Sequence, residues 1–132
     1  MPKFGKKSTE NLLTCDKRLQ NLFNKVIKHF DCSVTKGYRN EKDQNNAYKE
    51  GNSKVLFPNG KHNSLPSFAC DVAPYPIDWN DTKRFYYFSG FVKGVAASMG
   101  ISIIWGGDWN DNTQINDQNF NDLVHFEINN ND

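Results

Sequence analysis

"GKHNSLPSFACDVAPYP", residues 60 to 76, decides how this chain is read. It opens as a polar, proline-broken loop carrying His62 and closes as a strand carrying Asp71, nine positions further on. Successive side chains of a strand point to opposite faces. Phe68, Cys70 and Val72 therefore share one face of "FACDVA", and Ala69, Asp71 and Ala73 share the other. The first set suits a core. The second places an acid between two methyl-sized neighbours, with open space above the carboxylate. "LVHFEI", residues 123 to 128, repeats the arrangement. Val124, Phe126 and Ile128 point one way; Leu123, His125 and Glu127 point the other. Each strand thus has an apolar back and a front bearing a metal-competent group.

If the two strands are neighbours, His62, Asp71 and His125 can converge. Two imidazoles and one carboxylate are three protein ligands, which leaves the fourth tetrahedral position of Zn2+ for water. Such a set is catalytic in type, because a structural zinc closes its shell, usually with thiolates. Asp122 lies three residues before His125, where its carboxylate can take a proton from that water without binding the metal. Taken singly, a His or Asp in a loop is ordinary, and every half-buried sheet alternates. Spacing alone therefore leaves a plain solvated loop and sheet face as the alternative.

Working outward, residues 1–7 are expected to form a loose tail. Ser8 or Thr9 caps a predicted helix running to about His29, with Leu19, Leu22, Phe23, Val26, Ile27 and Phe30 on one apolar stripe. "CSVTKGY" reads as a short strand. Asn40 caps a second helix, "EKDQNNAYKE", which Gly51 stops. Being almost wholly polar, this helix is expected on the surface. Asn80 or Asp81 starts a long helix through Met99, with Phe85, Phe88, Val92, Val95, Ala96 and Met99 along one side. "ISIIW" is a buried strand, "GGDWNDNTQINDQN" a long polar loop and "LVHFEI" the last strand. Helices and short strands mix without regular alternation. The predicted fold is α+β: a small, mainly antiparallel sheet with helices packed on it and the zinc site on the sheet's open face.

The bulk numbers bound the function. With 132 residues the chain has room for one domain, residues 1–132, built on one modest core. Apolar residues make up 37% and aromatics 14%, so a few large rings must supply much of the buried area. A net charge of +1 argues against nucleic-acid binding by bulk electrostatics. The charge is uneven: residues 1–61 hold 13 Lys and Arg against 6 Asp and Glu, and residues 62–132 hold 3 against 9. A basic face toward an anionic partner and an acidic region drawing a cation fit that split; so do two ordinary solvated faces. Cys15, Cys32 and Cys70 are odd in number and lack framework spacing, which fits free thiols. No apolar run approaches the roughly 18 residues of a membrane span, so no membrane insertion is expected. The basic start "MPKFGKKSTENLL" lacks the apolar stretch of a signal peptide, so synthesis in the cytoplasm is expected.

"KHNSLPSFACDVAPYPIDW" followed by "DLVHFEI" resembles the zinc peptidase superfamily of D-Ala-D-Ala carboxypeptidases and L-alanyl-D-glutamate endopeptidases, most nearly its bacteriophage endolysins. Their pattern is Ser-x-His, a short loop, Ala-x-Asp, and later acid-x-x-His in a final strand. Here Gly60-Lys61-His62, Ala69-Cys70-Asp71 and Asp122-Leu123-Val124-His125 fill those places. "GYR" at 37–39 and "WGGDW" at 105–109 extend the resemblance over most of the chain from about residue 33. It implies that His62, Asp71 and His125 bind one zinc ion and that Asp122 is the general base. It also implies that Arg39 reaches into the cleft to hold a substrate carboxylate or carbonyl oxygen, helped by Gln44. Two departures stand out. Gly60 replaces the usual Ser, losing any hydroxyl contact there, and the loop from His62 to Asp71 is longer than the family's shortest, which costs little.

The implied function is zinc-dependent cleavage of the L-Ala–D-Glu bond in the peptide stem of peptidoglycan. The implied setting is a monomeric phage endolysin, held in the host cytoplasm until a separate membrane-permeabilising protein releases it to the wall. Competing readings are a D-Ala-D-Ala carboxypeptidase or dipeptidase on the same zinc site, and a non-catalytic module that binds wall peptides. Several other residues tempt. His29 and Cys32, three apart at a helix end, read better as a histidine at the helix dipole and a buried thiol than as ligands. Cys70 faces the core by parity. Glu127 is either a partner orienting His125 or a solvated strand residue. Asp108 is placed in the cleft wall, and Trp105 and Trp109 are read as anchors of the long loop in preference to stacking platforms.

Overall fold

The computed structural model describes residues 1–130; the last two residues of the expected 1–132 domain lie outside the described residues. The chain runs α1 (Lys6–Leu13), α2 (Lys17–Val26), β1 (Cys32–Lys36), α3 (Glu41–Lys49), β2 (Ala69–Pro74), α4 (Thr82–Ser98), β3 (Ile103–Trp105) and β4 (His125–Ile128), with a single 3-10 turn at Lys61–Asn63. The four strands form one sheet in the order β1-β2-β4-β3, antiparallel throughout. The α+β expectation holds. No helix among the described residues is long and apolar enough to cross a membrane.

The first predicted helix is two. The apolar stripe is as expected, with Leu19, Leu22, Phe23, Val26 and Ile27 buried and Phe30 packed at the edge of the core. It belongs to α2, however, not to one continuous element. Asp16 interrupts the chain and caps α2, its carboxylate accepting from the Arg18 backbone N–H. Cys15 there bridges in parallel to Ser67, next to the loop that leads into β2. Three residues, Thr14 to Asp16, thus leave the helix that periodicity alone would have kept, with Cys15 among them taken by tertiary pairing. The expected loose tail is also corrected: Lys6 and Lys7 lie in α1, and Phe4 packs against the core.

The remaining elements follow the sequence closely. Asn40 caps α3 by accepting from Asp43 N–H, and Asp81 caps α4 by accepting from Arg84 N–H. Phe85, Phe88, Val92 and Ala96 of α4 are buried, while Val95 and Met99 pack at the edge of the core. The expected surface position of α3 is only partly right, because Gln44 is 1% exposed. The aromatic share does what composition required: Phe126 is held edge-on between Phe23 and Phe88, with ring centroids 5.4 and 6.1 Å away. Strand parity holds within β2 and β4 but fails just before β4, which starts only at His125. Leu123, expected on the open face, packs against the core, and Val124, expected in the core, lines the cleft beside Asp71. Cys70, Val72, Phe126 and Ile128 lie in the core under α2 and α4. Asp71 and His125 sit opposite each other in the β2–β4 ladder, on the other face.

Candidate metal centre and cleft

Three elements bring three side chains together. β2 carries Asp71, β4 carries His125, and the 3-10 turn between α3 and β2 carries His62. All are buried, at 3%, 6% and 6% exposure for His62, Asp71 and His125. One ligand atom from each lies within 4.8 Å of the others. The imidazole rings stand 5.1 Å apart, nearly perpendicular.

The hydrogen bonds behind each histidine decide which nitrogen faces inward. His62 Nδ1–H donates to the Gly37 carbonyl at 2.7 Å, which leaves the Nε2 lone pair directed at Asp71 Oδ1, 3.2 Å away. His125 Nε2–H donates to Glu127 Oε1 at 2.7 Å, which turns Nδ1 toward the same Asp71 oxygen at 3.5 Å. Asp71 Oδ2 is taken by Arg39 Nη2 at 3.1 Å, so only Oδ1 points into the triangle. His62 Nε2 and Asp71 Oδ1 are both fully buried with no hydrogen-bond partner. Buried acceptors facing one another at this distance repel unless a proton or a cation lies between them. A nitrogen, oxygen, nitrogen donor set with each imidazole tethered from behind is what a zinc-type site requires. The residues fit a divalent ion.

Electrostatics agree. Burial alone would raise the Asp71 carboxyl, but the two histidines outweigh it and hold Asp71 well below the usual carboxylate range. Burial opposes charge on His125 too, yet the Asp71 and Glu127 carboxylates beside it lift its imidazolium to about 9. Without a metal, a proton there supplies the positive charge that the carboxylates demand. Asp122 shows the opposite balance. Burial, then the Asp71 charge, push its carboxyl up to about 6.

Asp122 is positioned by backbone rather than by side-chain contacts. Its N–H donates to Gly106 O at 2.9 Å, Gly106 N–H donates to His125 O at 2.8 Å, and His125 N–H donates back to Asp122 O at 3.0 Å. A Cβ on Gly106 would collide with the Asp122 carbonyl, so the glycine is needed for this approach. The four residues 122–125 therefore form a tight loop whose ends hold acid and imidazole together.

Asp122 borders two adjoining hollows. One, of about 450 Å³, is lined by His62, His125, Glu127, Trp109, Lys54 and Lys61 among others. The second, of about 480 Å³, is lined by Asp71, Thr35, Val124 and Trp79 among others. They meet at Arg39, Asn52, Phe120 and Asp122, so the cleft continues on both sides of the candidate metal centre.

A model of the phage L-alanyl-D-glutamate peptidase family matches residues 1–129. The chain belongs to that family. Among solved structures, the Serratia marcescens L-Ala D-Glu endopeptidase ChiX shares the fold, with a TM-score of 0.74. It is 24% identical to this chain, covering 96% of this chain and 90% of its own. No curated protein matches.

Against the family pattern, the Gly60 departure has a local cause. A Cβ at this position would press on Asn63 Oδ1 and Gln44 Oε1, at 2.7 and 3.0 Å. Gln44 is buried inside a hydrogen-bond cluster: Nε2 donates to Ser53 Oγ and Val55 O, and Oε1 accepts from Asn63 Nδ2 at 3.1 Å and Arg39 Nη1 at 3.4 Å. Arg39, with a side chain 12% exposed, is held by Asp71 and Gln44 while bordering both hollows. Trp105 is a buried anchor, its Nε1–H donating to Leu123 O. Trp109 is an anchor bonded to Phe120 O and also borders the cleft, its ring 5.0 Å from His125. Asp108, expected in the cleft wall, instead closes the long loop by accepting from Asn112 and Thr113 N–H. Cys70 faces the core, and Cys32 is a buried thiol pushed up to about 12 by burial. Sequence reasoning missed Asn63, Lys54 and Phe120. The "HN" dipeptide was the one available signal, since a polar residue beside a buried ligand must find its own partners.

Proposed function

We propose that this chain is a zinc-dependent peptidoglycan endopeptidase that cleaves the L-Ala–D-Glu bond of the peptide stem, acting as a phage endolysin. The observation that carries the reading is the pair of orphaned acceptors, His62 Nε2 and Asp71 Oδ1, aimed at one point beside Asp122 in a cleft. His62, Asp71 and His125 would hold the ion. Zinc bound there polarises a carbonyl and makes water a usable nucleophile near neutral pH. Asp122 accepts the proton of the attacking water and returns it to the leaving amine of D-Glu. In the metal-free site burial and the Asp71 charge hold its carboxyl up at about 6, so it binds a proton more readily than an exposed aspartate. Arg39 neutralises the outer oxygen of Asp71 and offers the cleft a second donor for the carbonyl oxygen as negative charge develops there. Gln44 positions Arg39 and Asn63 instead of meeting substrate, because its own polar atoms are engaged.

The cleft's continuation past the centre on both sides supports an internal bond as the target; a carboxypeptidase needs a closed end. Lysis of the host after release from the cytoplasm by a separate permeabilising protein, by a monomer bound to the peptide stem alone, completes the proposal. The test joins metal analysis to mass spectrometry of digested muropeptides. One equivalent of zinc, with a new D-Glu amino terminus and L-Ala left on the sugar, is expected. Release of free D-Ala would transfer the assignment to the carboxypeptidase reading.

A further inference from the structure

Arg39, Lys54 and Lys61 are the cations of the hollow that adjoins His62 and His125. Arg39 is bound to Asp71, and Lys61 Nζ stands 3.9 Å from Glu127 Oε2. Lys54 has no acidic partner among the described residues; its ammonium lies 5.0 Å from the centre of the Phe120 ring. Its position is held, though its side chain is exposed. Ser53 and Val55, on either side of it, are both bonded at 2.8 Å to the buried Gln44 amide. Phe120 comes from the opposite lip of the cleft, where its carbonyl accepts from Trp109 Nε1–H at 2.7 Å. An aromatic face attracts a cation without neutralising it, so this ammonium keeps its charge for a ligand.

We infer that Lys54 is a specificity-determining residue that binds a carboxylate of the stem peptide on the D-Glu side of the scissile bond. The inference rests on the endopeptidase reading above. Within the stem, L-Ala has its amine acylated by the sugar's lactyl group and its carbonyl joined to D-Glu, so it carries no carboxylate. D-Glu continues the stem through its γ-carboxyl and keeps its α-carboxylate free beside the scissile nitrogen. Where the diamino acid that follows has a second carboxyl group, it is another source of the same group. A cleft arm with one uncompensated cation therefore fits the leaving side of the bond.

The experiment measures kcat/KM on four muropeptides, with the D-Glu α-carboxylate and the diamino acid carboxylate each either free or amidated. The wild type is expected to favour the free acid at one of these positions by about tenfold, the range of a charge-assisted contact at a partly exposed site. The position at which amidation matters identifies the carboxylate. Lys54→Met should slow only the free-acid substrate, and Lys54→Glu should reverse the preference, both with zinc content and Tm unchanged. Equal slowing of acid and amide, or no change, overturns the assignment. A wild type that cleaves none of the four overturns the endopeptidase reading, and this inference with it.

Discussion

Asp122 and His125, on one short loop, are both raised but for opposite reasons: burial lifts the acid, while neighbouring carboxylates lift the imidazole against burial. The carboxyl of Asp122 is raised to about 6 by burial and the Asp71 charge, so its ionised form at neutral pH is held against the fold's preference. Replacing it by Asn should raise the stability of the metal-free protein at pH 7.5 by about 1 to 2 kcal/mol, and cut kcat of the zinc-loaded enzyme about 10² to 10⁴-fold. Bound zinc should stay at one equivalent. A variant that lysed cell walls at the normal rate would remove Asp122 from the mechanism. Glu127 acts on His125 from behind through the 2.7 Å bond to Nε2. Glu127→Gln should leave the fold intact and weaken zinc binding about 10 to 100-fold, read by competition with a chromophoric chelator.

At the scale of elements, the site depends on two devices outside the three proposed ligands. One is the close backbone approach at Gly106, where a methyl group would strike the Asp122 carbonyl. Gly106→Ala should cost about 2 kcal/mol and reduce activity more than zinc occupancy, since it displaces the acid before the ligands. Denaturant unfolding beside a metal titration checks both halves; zinc lost in parallel with activity would contradict the separation. The other device is the break between α1 and α2, where Asp16 caps the second helix and Cys15 pairs with Ser67. This bridge ties the amino-terminal helices to the loop carrying His62, a link that no periodicity in residues 8–29 displays. The α3 cap, the α4 cap and the alternation in β2 and β4 were legible because each depends on neighbours one to four residues away. The burial of Gln44 was not, because its partners at 53, 55 and 63 come from a loop with no period to read.

For the whole molecule, the proposed zinc ion and a proton would compete for one buried negative centre. The folded His125 value of about 9 lies above the ordinary 6.5, so its contribution to the metal-free fold is complete below about 6.5 and is lost as pH rises through about 9. Chelator-treated protein should therefore lose stability steadily from pH 6.5 to 9. The zinc-loaded form should not, because the ion replaces the proton. Calorimetry in buffers of different ionisation enthalpy should register proton release on zinc binding at pH 7.5. At free zinc some hundredfold above Kd, the gain over the chelated form is about 3 kcal/mol. Coincident melting curves with and without zinc across this range would argue that the three side chains bind no metal.

The amino-acid order by itself determined which side chains share a face, where helices begin, and the motif spacing that marks the family. These are local facts, set by strand pleat, helix pitch and capping chemistry within a few residues. Only the tertiary structure decided that β2 and β4 are neighbours with Asp71 opposite His125. It alone turned His62 inward through the Gly37 carbonyl, paired Arg39 with Asp71, and set Lys54 over Phe120. Those outcomes join residues tens of positions apart, and they follow from which buried donors and acceptors must satisfy one another once the chain has closed on its core.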